Sequence, residues 1–124
     1  SKAMTSIYKS TVTEIGEMVP AFVAEGMLVF FGEGAPDELR DFCIMHEVIH
    51  KQDLMMVGDF VAIHDQEFEI LAIGEVANEN LMNLGHLNLK ANGNTEADLP
   101  GDVCIAEVAL PEITVGIEFG IRRG

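Results

Sequence analysis

Residues 33–50 read Glu33-Gly34-Ala35-Pro36-Asp37-Glu38-Leu39-Arg40-Asp41-Phe42-Cys43-Ile44-Met45-His46-Glu47-Val48-Ile49-His50. The first third carries a helix start. Proline suits a first helical turn, where its missing N–H has no intrahelical partner to lose. Asp37 and Glu38 suit the positive end of the helix dipole. Leu39, Phe42 and Cys43 have the i, i+3, i+4 spacing of one buried face, so a short helix is expected. From Phe42 the period changes to two. Phe42, Ile44, His46 and Val48 share one parity, and Cys43, Met45, Glu47 and Ile49 share the other. The apolar and β-branched residues favour a strand here, with a helix as the alternative.

Outward from this stretch the chain reads as short strands and turns. On the N-terminal side, Ile7 to Ile15 alternates and is expected to be a strand ended by Gly16. Met18 to Phe22 holds Pro20 and reads as a loop. Met27-Leu28-Val29-Phe30-Phe31 is a solidly apolar run between glycines, as in a buried strand. On the C-terminal side, Phe60–Ile63 and Phe68–Ile73 flank His64-Asp65-Gln66-Glu67 as a hairpin. Gly74 marks a bulge or bend in a strand continuing to Val76. Ala77 to Leu84 holds one helical turn, ended by Gly85. His86 to Lys90, Val103 to Leu110 and Gly116 to Arg122 are the remaining strands. This spacing suggests an all-β barrel or sandwich with helical insertions. The expectation is a small, partly closed β-barrel of about seven short strands with one or two short helical insertions, one domain over residues 4–124. Ser1-Lys2-Ala3 before Met4 looks like an expression remnant.

The 124 residues suffice for one core, and 48% hydrophobic with 23% charged content indicates a globular chain. Net charge is 7 − 21 = −14. Such a surface opposes phosphate backbones and anionic lipid, so nucleic-acid binding and membrane insertion are not expected. It favours a partner with a basic face. Cys43 and Cys104 make no disulfide framework, and no apolar run approaches the roughly 18 residues that span a bilayer. A cytoplasmic protein is expected.

His46-Glu47-Val48-Ile49-His50 matches the His-Glu-x-x-His motif of zinc metallopeptidases. On a helix both imidazoles reach one zinc, and the glutamate is the general base. On a strand the two histidines lie about 13 Å apart, at roughly 3.3 Å per residue. One zinc does not bridge that span. The strand pattern therefore argues against a metal here, and no cofactor is expected.

Three ordered motifs carry a resemblance. They are Glu33-Gly34-Ala35-Pro36 leading to Phe42-Cys43-Ile44-Met45-His46; Ala72-Ile73-Gly74-Glu75-Val76-Ala77 with Asn80-Leu81, Leu84-Gly85-His86 and Asn92-Gly93; and Glu96-Ala97-Asp98-Leu99-Pro100-Gly101. From Ile7 to Phe119 the chain resembles the glucitol/sorbitol-specific enzyme IIA component of the bacterial phosphotransferase system. The resemblance implies a phosphohistidine carrier. It would take a phosphoryl group from phospho-HPr and give it to the IIB cysteine of a membrane IIB/IIC sugar transporter. It implies that His46 is the acceptor.

Imidazole suits this role, because its ordinary pKa of about 6.5 leaves it neutral and nucleophilic near pH 7. A shallow, exposed site is expected, with Nε2 attacking and the other nitrogen held by a carbonyl or carboxylate. His86 is the candidate assistant if its strand lies beside that of His46; otherwise it is a histidine hydrogen-bonded at a strand edge. His50 is a weaker candidate, and His64 reads as solvated. No role passes to Glu47. The negative charge suits the basic face of HPr. An exposed edge at Met27–Phe31 would allow a homodimer. The rival readings are the zinc metallopeptidase of His46, Glu47 and His50, and a non-catalytic β-barrel binding or regulatory module. The polyol is not determined by the sequence.

Overall fold

The computed structural model describes residues 3–124, so Ser1 and Lys2 of the expected remnant lie outside the described residues. The described chain forms one strongly curled, half-barrel sheet of nine strands. In chain order these are β1 (Thr5–Ile15), β2 (Met27–Phe31), β3 (Ile44–Lys51), β4 (Phe60–Ile63), β5 (Gln66–Glu69), β6 (Ala72–Ile73), β7 (Leu87–Ala91), β8 (Asp102–Ile105) and β9 (Glu118–Arg123). Their order across the sheet is β5-β4-β9-β1-β3-β2-β7-β8-β6. The expected partly closed barrel is what forms, with nine strands in place of about seven. The strand foreseen from Phe68 to Val76 divides into β5 and β6, and the segment before Gln66 is only a two-residue turn.

β1 is the longest strand and is paired on both sides, antiparallel to β3 and to β9. Three irregularities curl it. Ile7 is an extra residue against β9, where Ser6 faces Arg122 and Tyr8 faces Ile121. Thr13 is extra against β3, and Ile49 of β3 is extra against β1. Each bulge bends the strand and increases its twist. The concave side holds the main core, including Ile7, Tyr8, Val12, Leu28, Phe30, Ile44, Leu89, Phe119 and Ile121. A second, smaller cluster of Phe31, Ala35, Cys43 and Met45 lies apart from it. Ile44 and Val48 join the main core while Cys43 and Met45 join the smaller cluster, so β3 shows the period-two division read in its sequence.

Two helices complete the fold: α1 (Val19–Ala24) and α2 (Ala77–Leu84). Residues 18–22, read as a loop, enter α1; Pro20 stands in its first turn, where proline costs no hydrogen bond. The short helix expected after Pro36 is a 3-10 turn over Asp37–Phe42, with Pro36 as its N-cap. It buries no face, for Leu39 and Phe42 are 41% and 38% exposed, and Phe42 instead stacks on Phe22 of α1 at 5.6 Å. α2 runs about two turns and ends on Gly85 in the left-handed conformation (φ 64°), as glycine permits. The strand expected over Val103–Leu110 stops at Ile105.

Met27–Phe31 is not an edge. β2 lies between β3 and β7, which removes the surface from which a homodimer was expected. Gly74 is not a bulge either. The strand ends at Ile73, and Gly74 lies where a Cβ would stand 2.2 Å from the Pro100 carbonyl oxygen. Gly74→Ala is therefore expected to destabilise the fold by about 1–3 kcal/mol, the usual cost of an added methyl in a packed site. Urea unfolding of the variant beside the parent measures it.

Candidate functional site

His46 stands where β2 runs out. The parallel pairing of β2 with β3 ends at Phe31 opposite Met45, and Gly32 turns away. The place beside His46 is filled by the end of α2, held by Gly32 N–H donating to the Leu84 carbonyl at 3.0 Å. The next carbonyl, that of Gly85, meets His46 Nε2 at 2.6 Å. Nε2 is thus the protonated, donating nitrogen, and Nδ1 carries the lone pair. Gly85 must be glycine for this approach: a Cβ would lie 3.0 Å from Gly32 Cα and 3.2 Å from His46 Cε1.

The ring points into the concave core, in the same row as Ile44 and Val48. Phe30 and Phe119 stand edge-on to it at 5.9 and 5.4 Å, and Tyr8 lies at 6.4 Å. His46 is 0% exposed. The shallow exposed site expected for it is therefore not what forms. Desolvation pushes its pKa below the ordinary 6.5, and the Gly85 hydrogen bond opposes this only in part. The imidazole is held neutral. Nε2, expected to be free while the other nitrogen is held, is instead the nitrogen on the carbonyl. Nδ1 is buried and makes no hydrogen bond among the described residues.

A groove of about 380 Å³ opens beside the histidine, lined by Phe31, Gly32, Glu33, Gly34, Glu47, Val48, Asn83 and Leu84 as well as His46. Glu33 and Glu47 are exposed in it, and among the described residues no lysine or arginine lines it. Outside the lining, Lys51 Nζ donates to the Met82 carbonyl at 2.9 Å, tying β3 to the last turn of α2.

The other candidates are dispersed. β7, which follows His86, is not beside β3, because β2 lies between them. His86 Nδ1 meets the Phe30 carbonyl at 3.2 Å and its ring stacks on Phe31 at 4.6 Å, so it backs a wall of the groove. His50 is exposed, with Nε2 3.3 Å from Gln52 Oε1. The bulge at Ile49 takes it out of the row of His46. His64 occupies the β4–β5 turn, exposed and with φ 54°. His46 and His50 thus do not converge on one zinc, and no group of three or more His, Cys, Asp or Glu among the described residues is placed to hold a metal ion. Sequence reasoning missed the Gly85 carbonyl and Tyr8 as neighbours of His46. The first had a signal in the helix-ending Leu84-Gly85 pair; the second had none.

A sequence profile of the family described as "PTS system glucitol/sorbitol-specific IIA component" matches residues 7–120. The chain belongs to this family. The IIA chain is 34% identical over 113 residues to the PTS system glucitol/sorbitol-specific EIIA components of Shigella flexneri and of Escherichia coli K12, covering 91% of its own length and 92% of theirs. Its fold is similar to the crystal structure of a PTS system IIA component from Enterococcus faecalis V583, with a TM-score of 0.79 and 30% identity, over 90% of the IIA chain and 96% of that one. IIA components are proteins of the phosphotransferase system, which supports a role in phosphoryl transfer. No helix among the described residues is long and apolar enough to cross a membrane.

The buried, neutral His46 has a thermodynamic consequence. Its folded pKa is lowered, so between that value and the ordinary 6.5 the unfolded chain binds more protons than the folded one. The stability that His46 confers is complete above about pH 6.5 and is lost as pH falls through the folded value. Urea unfolding at pH 7.5 and 5.5 should show a larger acid-side loss for the parent than for His46→Gln.

Proposed function

We propose that this IIA chain is a cytoplasmic phosphocarrier that takes a phosphoryl group from phospho-HPr on His46 and passes it to the IIB cysteine of a glucitol/sorbitol-type transporter. The observation that carries the reading is a desolvated, neutral imidazole against a groove, in the family's motif. A neutral ring keeps a lone pair at physiological pH, which is what attack on phosphorus needs. Residues 4–124 act as one IIA unit.

Nε2 is the attacking atom in this reading. It meets the carbonyl at the end of α2, whose Asn83 and Leu84 line the groove, whereas Nδ1 is buried. Phosphoryl transfer then requires the Leu84–Gly85 turn to withdraw its carbonyl from Nε2. Gly32 and Gly85 meet there as closely packed backbone, so the movement has no side chain of either to displace. The Nε2–P bond forms as the P–N bond of the donor histidine breaks, and the donor nitrogen leaves with the bonding pair. Groove residues do not neutralise the phosphoryl charge, since Glu33 and Glu47 are the charged groups there. A basic docking face on HPr supplies that charge and is attracted by the same carboxylates. His86 assists from behind, by holding Phe31 in the groove wall, and does not reach the phosphate.

Incubation with enzyme I, HPr and labelled phosphoenolpyruvate tests this. The parent takes up acid-labile label, His46→Ala reduces it to background, and His50→Ala and His64→Ala leave it unchanged. His86→Ala slows uptake without abolishing it. Label on His46→Ala equal to that on the parent would refute the site; no label on either refutes the function.

A further inference from the structure

Three buried side-chain polar atoms make no hydrogen bond among the described residues: Tyr8 Oη, His46 Nδ1 and Asp102 Oδ1. Two of the three belong to neighbouring rings. Val12 of β1 is the residue paired with His46, and Tyr8 is four positions before it. That is about 13 Å along the strand, at about 3.3 Å per residue. The ring centres are nevertheless 6.4 Å apart. The two side chains lean toward each other along the concave face, and the hydroxyl is the distal atom of the one that leans from β1. Tyr8 shares the inward parity of Ser10 and Val12, and the bulge lets Ile7 turn inward beside it. Phe119, edge-on to Tyr8 at 6.1 Å, supports the phenol from β9.

A polar atom stranded in an apolar core is costly, and one bridge between two such atoms relieves both. The two atoms make no direct hydrogen bond, and one water molecule between them would satisfy both. We propose that Tyr8 is a positioning residue for His46, its hydroxyl holding Nδ1 through one buried water. The inference rests on His46 as the phosphoryl acceptor and adds the partner of its second nitrogen.

The chemistry requires a group that both donates and accepts. In the closed state Nε2–H donates to Gly85, so Nδ1 must accept. Once the Gly85 carbonyl withdraws, the single ring proton resides on Nδ1, which must then donate, and the Nε2 lone pair faces the groove. A hydroxyl or water serves both tautomers, whereas a carboxylate serves only the second. Burial raises the Tyr8 pKa, so the phenol keeps its proton throughout.

Tyr8→Phe removes the hydroxyl and keeps the ring. With the bridge present, ¹⁵N NMR of the neutral protein shows the His46 Nδ1 resonance moving in the variant. Phosphoryl uptake from HPr slows roughly tenfold at saturating HPr, the scale of one hydrogen bond to a reacting ring. Half-saturating HPr stays the same. If the hydroxyl is merely unpaired, the variant melts at the same or a higher temperature, with ring nitrogens and uptake unchanged, and the proposal is overturned. Tyr8 is the chain's only tyrosine, so biosynthetic 3-fluorotyrosine labels it alone. That residue acidifies the hydroxyl at nearly constant volume and must also move the Nδ1 signal; an unmoved signal overturns the proposal even where Tyr8→Phe fails to fold. Should the parent take up no label, the phosphocarrier reading fails while the ring-nitrogen comparison still decides the role of Tyr8.

Discussion

The two-sided pairing of β1 is the constraint on which the rest of the molecule depends. One strand of eleven residues supplies hydrogen bonds to β3 along one side and to β9 along the other. With an extra residue on each side it cannot lie flat, and the sheet curls around its concave face. The curl brings side chains from distant strands together: Phe30 of β2 and Phe119 of β9 stack at 3.9 Å across it. It also leaves an opening where β2 is shorter than β3. The end of α2 fills that opening, and His46 is the β3 side chain that meets it.

The burial of His46 follows from that arrangement and sets its chemistry. A histidine in an apolar row is unfavourable when charged, so the fold selects the neutral ring and the pH-dependent stability that comes with it. The same burial conflicts with the access a phosphoryl donor would need under the proposed function. The Gly85 carbonyl is the element that both satisfies and screens Nε2. A left-handed glycine turn at a helix end packed against another glycine is a place where a small backbone movement has few side-chain contacts to break. On the proposed function, resting stability and transfer competence therefore meet at one hydrogen bond.

Charge acts at longer range. The chain carries −14 overall, and the groove itself holds Glu33 and Glu47. If His46 accepts a phosphoryl group as proposed, these carboxylates repel the group alone but attract a basic carrier that brings it. Among the described residues, Arg123 binds Asp53 and Asp59 away from the groove, and Lys90 binds the buried Asp102 at 2.8 Å. These pairs fasten the C-terminal strand to the 53–59 loop and β7 to β8.

Local patterns along the chain carried most strands, the helix-ending Gly85, the alternation of Ile44/His46/Val48 with Cys43/Met45, and the motifs of the family. Periodicity and turn chemistry act over a few residues, so they are legible in order along the chain. Only the tertiary structure decided which row of β3 faced the core, and hence that His46 is buried and not displayed. It placed β2 inside the sheet, so Met27–Phe31 offers no free edge. It separated His50 from His46 by a bulge that arises from pairing with β1, not from any residue of the motif. It joined His46 to Gly85 and Tyr8, which are 39 and 38 positions away. Those relations depend on strand order and register, and register is settled by contacts between segments that share no local pattern.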